Sequence, residues 1–321
     1  MDKYLSLTQP VMEMARLGFG EALLQAGKDN TNVVALCADL TDSIKVNLFA
    51  KAFPNRYFEM GVAEQNMMGI AAGLALAGKI PFIASYAVFN PGRNWDQLRV
   101  SVCYSQANVK IIGAHAGLSV GPDGATHQAL EDIAITRALP DLTVIVPTDI
   151  TETRKVISAA VAHVGPVYIR FGRDTVPTVT LPDVPFEIGR AYVLEEGTDV
   201  TLLANGAQVY EALVAAKTLK ERGIFAEVIS VPTVKPLDHQ TIVASLKKTG
   251  AAVTVEEAQI IGGLGSAIAE LAGEHCPVPL KRIGMQDRFG ESGTPAELFK
   301  AFGINAETIV ESAQVVIKRK K

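Results

Sequence analysis

The sequence predicts an α/β protein of two domains, each a mainly parallel sheet with helices on both faces. Three observations carry that prediction. Short β-branched runs alternate with longer helical patterns from residue 14 to residue 171. A stretch with three prolines then interrupts the alternation, and beyond it the alternation restarts. At 321 residues the chain is long for one domain and comfortable for two.

In the first half, residues 14–25 read as an amphipathic helix and 32–37 as a buried strand. A helix of small residues follows over 62–78, a strand over 81–86 and a helix over 95–104. Next come a strand at 109–114, a helix at 126–137, a strand at 143–146, a helix at 149–163 and a strand at 167–171. Strands without polar alternation, separated by helices, are the pattern of βαβ units in a parallel sheet covered on both faces. Pro177, Pro182 and Pro185 mark the interruption. The first domain is assigned to residues 1–175, a linker to 176–190 and the second domain to 191–321. In the second domain, strands are expected at 199–203, 226–231, 251–256 and 279–282. Helices are expected at 208–222, 240–247, 265–272 and 296–302, with another after Asn305.

Composition narrows the function classes. Hydrophobic residues make up 48% and charged residues 20%, which supplies ample material for a core. The net charge of −4 gives no bulk electrostatic case for nucleic acid or an anionic membrane. The basic run at 318–321 reads as a solvated tail. Cys37, Cys103 and Cys276 are odd in number and far apart, with no disulfide or zinc spacing. The first ten residues lack a signal-peptide pattern, and no apolar run is long enough to span a bilayer. A soluble cytoplasmic protein is expected.

Four segments carry candidate chemistry. Glu64 opens the helix of small residues that includes Gly69, Ala72, Gly73 and Ala77, where the helix dipole favours a carboxylate. Without further context, that is only a helix-stabilising glutamate. The loop from His115 to Gln128 follows a strand and holds His115, His127 and Asp123 among several glycines. Open α/β sheets bind ligands at such strand ends. Tyr86 and Phe89 leave a strand end three residues apart, as core packing or as a stacking wall for a planar ring. Arg173, after the last strand of the first domain, suits either a phosphate clamp or a rim salt bridge. Two weaker signals remain. The Gly262-Gly-Leu-Gly265 run lacks a dinucleotide fingerprint and reads as a tight turn. Asp39 and Asp42 lack the further carboxylates a metal site needs.

The order Ala38-Asp-Leu-Thr, Gly61-Val-Ala-Glu-Gln, the aromatic segment, Gly121-Pro-Asp-Gly-Ala-Thr-His-Gln and Arg173 resembles the pyrimidine-binding and C-terminal domains of transketolase. The similarity covers nearly the whole chain, and the ordered set is more specific than any one motif. It implies the thiamine-diphosphate-binding fold of pyrimidine type followed by a transketolase C-terminal domain. It assigns Glu64 to N1′ of the cofactor's aminopyrimidine ring, with Asp39, Leu40, Val62, Ile83, Tyr86 and Phe89 as further cofactor-binding positions. Ile83 stands where the family has a third aromatic. His115 and His127 match substrate histidines with a share in catalysis, Asp123 a hydroxyl-reading aspartate, and Ser43, Arg16 and Arg173 phosphate contacts.

The resemblance also explains why these residue types are needed. A carboxylate bonded to N1′ favours the imino tautomer, whose 4′ nitrogen takes the thiazolium proton, and the cofactor then acts as electron sink. The expected reaction moves a two-carbon ketol unit from a ketose phosphate to an aldose phosphate. The Gly-Asp-Gly segment with a spaced asparagine, which binds Mg²⁺ and the diphosphate in such enzymes, is missing here. The resemblance therefore implies an N-terminal partner subunit carrying the diphosphate and Mg²⁺ site, in an α2β2 complex. Alternatives within the class are 1-deoxyxylulose-5-phosphate synthase-like chemistry and a 2-oxoacid dehydrogenase E1 β subunit. Ala63-Glu-Gln and Arg93 lean toward the synthase, whereas His115 leans toward transketolase. The histidine loop fits the dehydrogenase poorly. A non-catalytic assembly subunit is the alternative from another class, and Glu64, His115, Asp123 and His127 together argue against it.

Overall fold

The computed structural model describes residues 4, 5 and 7–320. The first residues of the N-terminal segment, Ser6 and the last residue of the basic run lie outside the described residues. Strand β1 (Met12–Met14) runs into helix α1 (Ala15–Asp29). Then follow β2 (Val33–Cys37), α2 (Asn47–Ala52), β3 (Tyr57–Glu59), α3 (Glu64–Leu76), β4 (Ile80–Tyr86) and α4 (Trp95–Gln97). After them come β5 (Lys110–Ala114), α5 (Asp132–Arg137), β6 (Thr143–Ile145), α6 (Ile150–Ala162) and β7 (Val167–Arg170). The later elements are β8 (Thr175–Pro177), β9 (Tyr192–Glu195), β10 (Val200–Ala204), α7 (Gln208–Glu221), β11 (Ala226–Ser230), β12 (Thr233–Lys235) and α8 (His239–Thr249). The chain closes with β13 (Ala252–Gln259), α9 (Leu264–His275), β14 (Leu280–Met285), α10 (Pro295–Ala301) and α11 (Ala306–Ile317).

Seven strands form the first sheet in the order β12-β6-β7-β5-β4-β2-β3, parallel except for β12. Every residue of β2, β5 and β7 is buried. Their largely apolar sequences, with Lys110 and Arg170 the charged exceptions, are what a sheet covered on both faces requires. Phe19 and Leu23 of α1 and Val156 and Ile157 of α6 cover one face, over Phe82, Ile112 and Ile169. Met67, Met68 and Ala71 of α3 cover the other, over Leu36, Ile83 and Ile111. The second sheet has the order β14-β13-β10-β11-β9 and is parallel except for the edge strand β9.

The chain departs from the sequence reading in four places. The helix expected over 126–137 begins only at Asp132. Ahead of it the His127 N–H bonds the Gly124 carbonyl in a turn, and Gly117 N–H bonds the Ala129 carbonyl across to the neighbouring strand end. Those bonds hold 124–130 out of helical geometry. The helix expected over 95–104 forms, but its second part, Leu98–Tyr104, is wound as a π-helix. The stretch expected to be a linker is fastened down at its start. Its β8 pairs antiparallel with β1, and Val179 and Thr180 donate to the Asp149 carboxylate. Finally, β12, from the second half of the chain, completes the edge of the first sheet beside β6.

The Gly262–Gly265 run is a tight turn with its own occupant. The Glu256 carboxylate accepts the N–H groups of Leu264 and Gly265 at 2.7 and 2.8 Å, filling the start of α9. A Cβ on Gly263 would lie 2.1 Å from that carboxylate. Among the described residues, no helix is long and apolar enough to cross a membrane.

Candidate active site

The C-terminal ends of β2, β4, β5 and β7 deliver most of the expected residues to one edge of the first sheet, where open α/β sheets bind ligands. Asp39 follows β2, Tyr86 ends β4, His115 follows β5 and Arg173 follows β7. Helix α3 starts on the same edge, after β3, and its first residue is Glu64.

Glu64 is only 3% exposed. Its carboxylate is held by Arg93, whose guanidinium lies 3.1 Å from one oxygen and 3.3 Å from the other. Arg93 is half-exposed and lies over the Phe89 ring, 4.1 Å from the centroid. The loop bearing both residues is anchored by two asparagines that the sequence reading did not single out. Asn90 donates to the Ile112 carbonyl of β5, and Asn94 donates both to Asn90 and to the Glu64 carbonyl. Both are fully buried, so the aromatic loop is tied to the central strand and to the start of α3. Between them the Asn90-Pro-Gly turn needs Gly92, where a Cβ would meet the Val88 carbonyl oxygen at 2.0 Å.

A second cluster adjoins the first through Tyr86. The Tyr86 ring stacks on His115 at 4.1 Å and lies 6.1 Å from Phe89. Ser43 Oγ is 2.8 Å from the Tyr86 hydroxyl and 3.4 Å from His115 Nε2. Arg16 donates to the Ser43 carbonyl at 2.9 Å, and its buried Nε has no partner among the described residues. Arg173 donates to the Val120 carbonyl at 2.9 Å and to Asp123 at 3.1 Å. Burial, then the charges of Arg16 and Arg173, push the His115 imidazole down to about 3. Burial and the neighbouring Arg173 likewise hold Arg16 below its ordinary value. Two cations beside a neutral imidazole make this end of the site ready for an anion. His127 meets both clusters edge-on, 5.6 Å from Phe89 and 6.4 Å from Tyr86, and its Nδ1 is 3.0 Å from Thr126 Oγ1.

The remaining expected residues contribute no side-chain hydrogen bond to these two clusters among the described residues. Ile83 is fully buried in the core under α3, so its side chain packs the sheet. Val62 is exposed just ahead of Glu64, and Leu40 is half-buried. Asp39 is exposed, with a positive φ of 57°, and its backbone N–H bonds Glu59. Glu59 organises this corner, also accepting from Thr41, Tyr57 and the Gly61 N–H. Burial raises the Glu59 carboxyl, but those bonds outweigh it and hold it below its ordinary value. A single glutamate on a short edge strand gave no sequence signal for that role.

The second half of the chain braces the histidine loop. Ser119 N–H donates to the Glu257 carboxylate, and Gln128 donates to the Glu291 carbonyl at 2.9 Å. Below the loop, buried Arg170 bonds Asp132 at 2.9 Å and the Glu257 carbonyl at 2.6 Å, and Tyr168 also donates to Asp132 at 2.7 Å. Chemically, a buried carboxylate beside a flat aromatic face suits a planar nitrogen heterocycle, so the residues present fit an aminopyrimidine ring. Among the described residues, no group of three His, Cys, Asp or Glu is arranged to hold a metal ion.

Comparison with known proteins matches residues 13–178 to the transketolase pyrimidine binding domain and residues 189–309 to the transketolase C-terminal domain. A putative transketolase C-terminal section of Methanocaldococcus jannaschii is 46% identical over 95% of this chain and 96% of its own length. The 6-deoxy-6-sulfo-D-fructose transketolase subunit of Clostridium sp. strain MSTE9 is 45% identical over 94% of this chain and 93% of its own. The 1-deoxy-D-xylulose-5-phosphate synthase of Thermomicrobium roseum is 41% identical over 91% of this chain, which spans only 47% of that protein. Among solved structures, a split-gene transketolase in an inactive β4 tetramer has a TM-score of 0.90 at 47% identity, over 96% of this chain and 99% of that one.

Proposed function

The chain belongs to the transketolase family, and from that premise we propose that it is the C-terminal subunit of a split, thiamine-diphosphate-dependent transketolase. It would move a two-carbon ketol unit from a ketose phosphate to an aldose phosphate. The observation that carries the reading is Glu64: a buried carboxylate at a helix start, beside an aromatic face, with Arg93 its side-chain partner among the described residues. When bound, thiamine diphosphate supplies the electron sink.

This chain's residues would do the rest. Glu64 holds a proton at N1′ of the aminopyrimidine, and Phe89 and Tyr86 wall the ring. His115 meets substrate oxygens as a neutral imidazole, given how far its basicity is depressed, and His127 lies edge-on to Tyr86, the ring on which His115 stacks. Arg16, Arg173 and Ser43 take the distal phosphate, and Asp123, steadied by Arg173, reads a hydroxyl. Asp39, Leu40 and Val62 border the cofactor end. An N-terminal partner subunit supplies the diphosphate and Mg²⁺ site, as an α2β2 assembly.

A second reading, 1-deoxyxylulose-5-phosphate synthase-like chemistry, draws on Arg93 and on the synthase alignment. The buried His115 between Tyr86 and Ser43 favours ketol transfer. Replacing Glu64 by alanine in the assembled enzyme tests the main reading. Turnover should fall by roughly 10²-fold or more, while the assembly elutes unchanged on size-exclusion chromatography. Near-normal turnover would remove Glu64 from the role given to it.

A further inference from the structure

Arg93 has no part in the reaction outlined above, yet it holds the position that matters most to it. Its guanidinium is planar, cationic and a nitrogen donor. It lies 4.1 Å over the Phe89 ring and bonds both oxygens of Glu64 at 3.1 and 3.3 Å. Those are the contacts an aminopyrimidine ring would make: a flat face on Phe89 and a nitrogen on the Glu64 carboxylate. With Arg93 in place, Glu64 is 3% exposed, so an incoming ring cannot reach the carboxylate without moving it. Glu64 sits at the start of a packed helix, whereas the Arg93 side chain is half-exposed and has solvent to swing into. Arg93 is therefore the partner free to leave.

The geometry points to Arg93 as an internal stand-in for the cofactor's aminopyrimidine, a positioning residue that occupies the ring site of the empty subunit and yields it on binding. The inference rests on the reading of Glu64 as the N1′ partner. It has two consequences of opposite sign. While the site is empty, Arg93 keeps a buried carboxylate paired, which favours the folded subunit. When the cofactor arrives, Arg93 competes with it, so the apparent affinity is reduced by the fraction of sites already filled. The device keeps Glu64 and Phe89 at ring spacing and prevents a lone, buried carboxylate from collapsing onto other donors.

The test uses the full chain assembled with its diphosphate-binding partner, with thiamine diphosphate titrated by calorimetry. Arg93→Met removes the planar cation while keeping an apolar stem. It should bind thiamine diphosphate roughly tenfold more tightly while the cofactor-free subunit melts at a lower temperature. Arg93→Lys keeps the charge but not the flat face and should fall between the two. Unchanged or weaker binding by Arg93→Met would overturn the proposal, since a merely structural arginine would not tighten binding on removal. A crystal structure of the wild-type complex provides a readout that needs no variant. The guanidinium should have left Glu64 with the ring in its place, and an intact Arg93–Glu64 pair beside bound cofactor would refute the stand-in role. Glu64→Gln separates the two levels of the argument. If it turns over normally, the reading of Glu64 fails and the proposal falls with it. If it is crippled but Arg93→Met binds no tighter, only the proposal fails.

Discussion

His115 shows how the fold fixes the chemistry of one side chain. It sits at a positive φ of 52°, is 1% exposed, and stacks on Tyr86 beside two arginines. Burial first, and then Arg16 and Arg173, depress its basicity to about 3 from an ordinary 6.5. The folded state therefore binds fewer protons than the unfolded one between those values. Stability from this source is fully present above pH 6.5 and is lost as pH falls toward 3. By pH 4.5 the loss is ~2–3 kcal/mol on those values. Comparing thermal melts at pH 7 and pH 4.5 checks it: His115→Asn should lose markedly less stability across that interval than the wild type. An equal loss would place the acid sensitivity elsewhere. The same depression means that no His115 titration should appear in the turnover profile between pH 5 and 8. Glu64, His115, Asp123, His127 and Arg173 were legible in the sequence as candidates because they stand in ordered motifs. Glu59, Asn90 and Asn94 were not. Their task is to bond backbone groups far away in sequence, as Asn90 does to Ile112, and that leaves no local pattern.

Among the elements, strands β2, β4, β5 and β7 were legible, as were the helices that cover them. Strands β3, β9 and β12 were not. They are short and fall outside the strand–helix alternation that marked even the equally short β6 and β7. Helix α5 started six residues later than its helical pattern suggested, because backbone bonds to Gly124 and Gly117 claim the preceding chain. What joins α5, β7 and β13 is the buried pair Arg170–Asp132, 3% and 1% exposed, with Tyr168 and the Glu257 carbonyl completing it. A buried ion pair is costly to break from one side, because the survivor is left uncompensated. Asp132→Ala should therefore cost ~3–5 kcal/mol in chemical denaturation. The double replacement Asp132→Leu with Arg170→Met should recover part of that loss. A loss under ~1 kcal/mol from Asp132→Ala would mean that water or local rearrangement already screens the pair.

For the whole molecule, the two-sheet architecture was legible from the interruption and restart of the α/β pattern. How closely the halves interlock was not. Strand β12 returns from the second half to the first sheet, and Glu257 and Glu291 receive bonds from the loop that carries His115, Asp123 and His127. The second half thus braces the loop at this end of the candidate site, through contacts that depend on folding rather than on motif. The central claim is that this chain brings Glu64 and the sugar-phosphate residues, while a partner brings the diphosphate and metal site. The most direct measurement is ketol transfer from xylulose 5-phosphate to ribose 5-phosphate, with thiamine diphosphate and Mg²⁺ present. It compares the purified chain alone with the chain combined with its diphosphate-domain partner. The account predicts no turnover alone and restored turnover in the mixture, and strong turnover by the chain alone would contradict it.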